Sequence, residues 1–172
     1  MVKDLLLIID YVENSDYEKL LFNDKNYFGN KDEIKLYLGQ QHINIQNTLK
    51  YCNDNNIDVY NINYTNYIWN DNKCLKNYKL IPFLDFTKIP DFSKYETIYF
   101  GGSSLDQCVT CTRPISYLNL KHRNKILITD CCIQTTPYNN KIKKLSDISD
   151  LNKYIQNYLK NKNIKYVKSI IQ

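Results

Sequence analysis

The chain has 172 residues and a net charge of +5, from 23 basic and 18 acidic side chains. This length is typical of one domain, and we expect residues 1–172 to fold as a single unit. Hydrophobic residues make up 43% of the chain, which argues against intrinsic disorder. Only two arginines occur and the lysines are scattered, so we expect no nucleic-acid partner. The abundance of Asn, Ile, Lys and Tyr and the lack of Ala are typical of an A/T-rich coding bias.

No segment of the sequence predicts export or membrane insertion. The longest apolar run, Leu5 to Ile9, is far shorter than the roughly 20 residues of a membrane helix. It also lacks the small-residue cleavage site of a signal peptide. We therefore expect a cytoplasmic protein whose six cysteines remain free thiols. His42 and His122 lie in unrelated contexts, so we expect no metal site and no cofactor.

Strand and helix patterns alternate along the chain. Short continuous apolar runs closed by a polar residue predict buried strands, and apolar residues at helical spacing predict helices. In chain order the predicted elements are a strand at 5–9, a loop at 11–33, a helix at 34–55, a strand at 57–64, a short strand at 79–86, a strand at 95–100, a helix at 106–121, a strand at 125–129, a helix at 147–160 and a strand at 164–171. This alternation predicts an α/β fold with three α/β/α layers and a mainly parallel, Rossmann-like sheet.

Polar residues follow three of the predicted strands. Asp10 ends the first strand, the segment 101–108 follows the strand at 95–100, and Asp130 and Cys131 end the strand at 125–129. In a parallel sheet ligands bind beyond the carboxyl ends of the strands, so we expect a site here. We expect Asp130 to cap a loop within it.

Cys108 is the strongest candidate for chemistry. It lies in the first turn of a predicted helix, directly after a Gly/Ser turn. The partial positive charge of a helix N-terminus lowers a thiol pKa and favours a nucleophilic thiolate. Asp10 could then act as the base. Two alternatives remain open: Cys108 is a small buried core residue, or it forms a redox pair with Cys111, although the surrounding sequence lacks a thioredoxin context.

The segment GGSSLDQCVTCTRPISYLNLKHRNKILITDCC at 101–132 resembles the signature of the isochorismatase-like cysteine hydrolases. LLLIID at 5–10 resembles the first strand of that family and its catalytic Asp. The resemblance implies a three-layer α/β fold and an Asp–Lys–Cys triad. It also implies hydrolysis of an amide-type C–N bond in a small molecule through a Cys thioester, without a cofactor. Homo-oligomers, dimers or tetramers, are common in that family.

Individual roles follow from the resemblance. Asp10 would be the base and Cys108 the nucleophile. The backbone N–H groups of Ser104 and Cys108 would form the oxyanion hole beside the bound substrate, and the peptide bond between Ser103 and Ser104 would be cis. The lysine is best assigned to Lys79, ahead of PFLDFT, with Lys73, Lys76 and Lys88 as rivals.

The chain also departs from the family pattern. Val12 and Leu105 stand where the family commonly has Gln and Thr. The segment 61–72 has no His, which argues against the metal site of the nicotinamidases. These departures leave open an alternative, a catalytically degenerate relative with a binding or structural role.

Overall fold

Within the described part of the chain, six strands form one sheet in which all neighbouring strands are parallel. The computed structural model describes residues 3–9, 31–63, 79–82, 92–103, 109, 124–133, 148–161 and 163–171. The strands are β1 (Lys3–Ile9), β2 (Asp58–Asn63), β3 (Lys79–Pro82), β4 (Tyr95–Ser103), β5 (Asn124–Ile133) and β6 (Tyr166–Val167). Their order is β3-β2-β1-β4-β5-β6. The order reverses between β1 and β4, and doubly wound sheets bind ligands at such a point.

Helices pack on both faces of this sheet. The described helices are α1 (Lys31–Asp54) and α2 (Ile148–Asn161). Leu38 of α1 shares a hydrophobic cluster with Ile8 of β1, whereas Leu159 of α2 belongs to a second cluster with Leu7. This arrangement confirms the predicted three-layer α/β/α fold with its parallel, Rossmann-like sheet. No helix among the described residues is long and apolar enough to cross a membrane.

Strand β1 is buried on both faces. Its residues from Leu5 to Ile8 are 0% exposed and Ile9 is 2% exposed. Burial of each such side chain contributes about 1.5–3 kcal/mol, which explains why the run is apolar throughout instead of alternating. The strand therefore fixes the position of its carboxyl end, where Asp10 follows in the chain.

Both helices are followed by an asparagine in the left-handed conformation. Asn56 has a φ of 56° and Asn163 a φ of 53°. After α1 the N–H of Ile57 donates to the carbonyl of Cys52, and after α2 the N–H of Ile164 donates to that of Leu159. This pattern terminates helices and usually employs glycine, but asparagine also tolerates the conformation. In a chain with four glycines, asparagine performs this task.

Several elements differ in extent from those that the sequence predicts. The first helix begins at Lys31 instead of residue 34, and β5 spans Asn124–Ile133 instead of 125–129. Of the predicted strand at 79–86 only Lys79–Pro82 lies within the described residues, where it forms β3. The last strand is reduced from 164–171 to Tyr166–Val167, because pairing with β5 stops at Ile128, where β5 becomes irregular. Of the predicted helix at 106–121 only Val109 is described, and residues 11–30 of the predicted loop lie outside the described ranges.

Candidate active site

The carboxyl ends of five strands are level with one another. The register aligns Ile81, Ile62, Ile9, Gly102 and Cys132, in order from β3 to β5. Asp10 follows Ile9 in the chain, and Ser103 follows Gly102. Two of the three sequence features that predicted a site therefore leave the sheet from adjacent strands at its switch point.

Gly102 touches the backbone of β1 so closely that no other residue fits. Its φ is +125°, a conformation that residues with a side chain rarely adopt. A Cβ atom built on it would overlap the carbonyl oxygen of Ile9 and lie 2.7 Å from the carbonyl carbon. Glycine at this position thus allows the end of β4 to approach the residue that precedes Asp10.

Gly101 has the same relation to the strand on the other side. A Cβ atom at this position would lie 2.8 Å from the Cβ of Cys131 and 2.9 Å from the Cys131 carbonyl oxygen. The two adjacent glycines therefore let the end of β4 fit tightly between β1 and β5. Since the chain has only four glycines, their pairing at this point reflects a steric requirement.

Strand β5 bulges where it passes these glycines. From Phe100 to Gly102 the ladder advances two residues on β4, whereas its partner positions, Leu127 and Cys132, are five residues apart, so β5 has three extra residues. The Asp130 N–H donates to the carbonyl of Lys168 at 3.0 Å. Such bulges redirect side chains at the edge of a sheet.

Three described cysteines lie in the core and are unsuited to nucleophilic attack. Burial raises the pKa of Cys52 and of Cys131 to about 12, and it raises the pKa of Cys132 well above its usual value. The Cys131 thiol donates to the hydroxyl oxygen of Thr48 on α1 at 3.2 Å. Because the thiolate is the reactive form, these thiols are inert near neutral pH.

Asp130 lies beside these thiols and is partly exposed. Burial raises the pKa of its carboxyl group, and the positive charge of Lys168 opposes this rise. Asp130 lies inside β5 instead of ending it, and its backbone N–H bonds the segment after β6. The expected role of its side chain as a loop cap stays a prediction.

The neighbours of the two predicted catalytic residues belong to one hydrophobic cluster. Ile9 precedes Asp10, and Val109 follows Cys108. Both are buried in the cluster that also contains Cys132 of β5 and Leu159 of α2. The chain is therefore anchored next to each predicted catalytic position by the same part of the core.

The predicted site residues differ in how far the structure describes them. Asp10, Ser104 and Cys108 lie outside the described residues. Ser103 is the last residue of β4 and is in register with Ile133 of β5. The roles assigned to Asp10, Ser103, Ser104 and Cys108 stay predictions.

Lys79 begins β3, and only its backbone is described. It is in register with Tyr60 of β2, which is in register with Leu7 of β1. Its backbone therefore lies about 7 Å before the level of Ile9 and about 10 Å to the side, from standard strand spacings. The rival residues Lys73, Lys76 and Lys88 lie outside the described ranges.

Cys132 is the residue whose importance the sequence interpretation missed. Its thiol donates to the carbonyl of Ile128, and the residue is in register with Gly102 at the edge of the sheet. A signal was present, since Cys132 ends the same motif as Gly102.

Across the described ranges, no group of three His, Cys, Asp or Glu side chains could hold a metal ion.

Comparison with known proteins supports the fold. The YcaC gene product of Escherichia coli, an octameric hydrolase of unknown specificity, superimposes with a TM-score of 0.56 at 11% sequence identity. The match covers 96% of this chain and 74% of the YcaC chain. No protein-family model matches the sequence, and no curated protein matches it. The chain therefore shares the α/β architecture of YcaC at low sequence identity.

Proposed function

We propose that the protein is a cysteine hydrolase that cleaves an amide-type C–N bond in a small molecule, with Cys108 as nucleophile. The observation that carries this proposal is the contact of Gly102 with Ile9 at the switch point of the sheet. It brings together the strand ends that lead to Asp10 and to Cys108. The hydrolase function of YcaC, which shares the fold, supports the reaction class.

In the proposed reaction Asp10 takes the proton of the Cys108 thiol, and the resulting thiolate attacks the carbonyl carbon of the substrate. The oxyanion receives hydrogen bonds from the backbone N–H groups of Ser104 and Cys108. Together with Ser103, these residues would bind the substrate. The C–N bond breaks, and Asp10 supplies the proton to the leaving amine. Asp10 then accepts a proton from water, which attacks the thioester, and cleavage of the C–S bond releases the carboxylic acid and the thiolate.

A lysine completes the proposed triad, and Lys79 is its first candidate. A cation near both the carboxylate and the thiol stabilises the ionised forms and lowers both pKa values. The backbone of Lys79 lies two strands from β1 and before the edge, so its side chain must extend toward that edge to act. Lys73, Lys76 and Lys88 are the alternatives for this role.

A degenerate relative without catalysis is the second candidate function. The position of the Lys79 backbone favours it, as do Val12 and Leu105 at positions where the family has Gln and Thr. In such a protein Cys108 would have an ordinary thiol pKa, and the edge of the sheet would bind a ligand without cleaving it.

We further propose that the chain works as a homo-oligomer in the cytoplasm, in line with the octameric state of YcaC. Light scattering at low protein concentration measures the oligomeric state directly. A purely monomeric chain would contradict the oligomer.

Alkylation of the native protein tests the proposal before a substrate is known. Limiting iodoacetamide at pH 7 is followed by peptide mass spectrometry, which gives a labelling rate for each cysteine. We expect Cys108 to react at least about tenfold faster than the same cysteine in urea, because an activated thiol is mostly ionised at this pH. Buried Cys52 and Cys131 serve as internal controls that stay unlabelled.

Activity is then measured as ammonia or amine release from a panel of small amides, N-carbamoyl compounds and ureido compounds. Cys108→Ala should abolish turnover, whereas Cys131→Ala, its control, should retain it. Lys79→Ala and Lys88→Ala are compared for their effect on the pH profile of Cys108 labelling. The variant that shifts this profile identifies the lysine. A Cys108 that reacts no faster in the folded protein than in urea would establish the degenerate alternative.

A further inference from the structure

Cys132 lies where the end of β4 meets the bulge of β5. Cys132 is 5% exposed, and its S–H donates to the carbonyl oxygen of Ile128 at 3.2 Å. Cys132 is also in register with Gly102 of β4. Its thiol therefore closes the bulge directly beside that glycine.

This hydrogen bond lies where the ladder between β4 and β5 changes register. It closes the three-residue bulge next to Gly102, the glycine that has a positive φ. Since Gly102 is in register with both Ile9 and Cys132, it is held between the two strands at one level. Glycine adopts a positive φ without steric cost, so the neighbouring strands select the conformation of Gly102.

We propose that Cys132 is a positioning residue: its thiol fixes Gly102 and thereby the start of the segment that leads to Cys108. The part that concerns Cys108 rests on the proposed function, whereas the part that concerns Gly102 does not. Without the sulfur, the Ile128 carbonyl loses this donor, the bulge can open, and the end of β4 is no longer held against it.

Three substitutions separate this role from simple core packing. Cys132→Ala removes the sulfur, and Cys132→Ser keeps a smaller group that can donate and accept. Cys131→Ala is the matched control, because Cys131 is the adjacent residue, is 0% exposed, and its thiol donates to Thr48 on α1. The alanine also keeps the Cβ atom that packs against Gly101.

The first measurement follows Gly102 itself. Protein labelled with ¹⁵N at glycine gives four amide signals in an NMR spectrum, since the chain has four glycines. We expect hydrogen exchange of the Gly102 amide to be about tenfold faster in Cys132→Ala, because the neighbouring strand that pairs with it opens more often. Cys132→Ser should lie between, and Cys131→Ala should match the wild type.

The second measurement is the pH profile of Cys108 alkylation. We expect Cys132→Ala to raise the apparent pKa of Cys108 by about one unit, from below to above pH 7, which lowers its labelling rate at pH 7 about threefold. A merely structural role would change thermal stability to the same degree in both alanine variants and would leave this profile in place. Should Cys132→Ala fail to fold, Cys132→Ser supplies both measurements.

The possible results distinguish the two proposals. Unchanged exchange at Gly102 and an unchanged Cys108 profile in Cys132→Ala and Cys132→Ser would overturn the positioning role while the proposed function stands. Faster exchange at Gly102 with a Cys108 that is no more reactive than in urea would refute the proposed function and limit Cys132 to holding Gly102. Effects of equal size in Cys131→Ala would overturn the positioning role, because they would reflect core packing.

Discussion

Replacement of Gly102 by alanine should damage the protein far more than the same change at the neighbouring glycine. The new Cβ would lie 2.7 Å from the carbonyl carbon of Ile9, whereas carbon atoms in contact are about 3.5 Å apart, so β1 and β4 would have to separate by at least about 0.8 Å. The positive φ adds about 1–3 kcal/mol and the overlap about 1–3 kcal/mol. We expect a loss of about 4 kcal/mol, or a fall in Tm of roughly 8–16 °C.

The other described glycines provide a graded comparison. Gly101 has no positive φ, and a Cβ atom there would lie 2.8 Å from the Cβ of Cys131. We therefore expect Gly101→Ala to lower the free energy of unfolding by about 1–2 kcal/mol. A Cβ atom at Gly39, inside α1, would have no atom within 4 Å, so Gly39→Ala should stabilise the protein by about 0.5–1 kcal/mol. Urea unfolding followed by circular dichroism measures all three. If Gly102→Ala lies within about 1 kcal/mol of Gly101→Ala, the steric reasoning is wrong.

Two further substitutions test electrostatic features of the fold. Burial raises the pKa of Asp130, so the folded protein binds the proton more tightly than the unfolded chain, and the free energy of unfolding falls as pH rises through the raised value. Asp130→Asn should remove this pH dependence and stabilise the protein by less than about 1 kcal/mol at pH 7. Urea unfolding at several pH values measures both effects. If the free energy of unfolding depends on pH in the same way in the variant, Asp130 is not the group responsible. Tyr95 donates its hydroxyl to Asp58 at 2.7 Å, and Tyr95→Phe should cost about 1–2 kcal/mol. Tyr166→Phe on the exposed edge is the control, and an equal loss there would refute the role of this hydrogen bond.

The order of strands and helices could be predicted because each buried element has a local pattern. The run at Leu5–Ile9 is apolar throughout, and its five residues are all buried in the centre of the sheet. The extents were harder to predict. Strand β5 continues to Ile133 through a bulge whose hydrogen bonds join residues far apart in sequence, and β6 is short because that bulge ends its ladder.

The candidate site was predictable in position and only partly in its components. Strand ends carry Asp10 and the Gly101–Gly102 pair, so the sequence already placed a site at the carboxyl edge. The lysine was not predictable in the same way, because 21 lysines are spread over the chain and their spacing carries little information. Only the register shows that the backbone of Lys79 lies before that edge.

By itself the sequence determined the α/β class, the buried central strand and the edge of the sheet where chemistry is expected. These features depend on local patterns of apolar and polar residues. The tertiary structure decided why two of four glycines stand together, since the reason is the backbone of Ile9 on one side and Cys131 on the other. It also gave Cys132 a role, because its hydrogen bond to Ile128 closes a bulge beside Gly102 that no local pattern encodes.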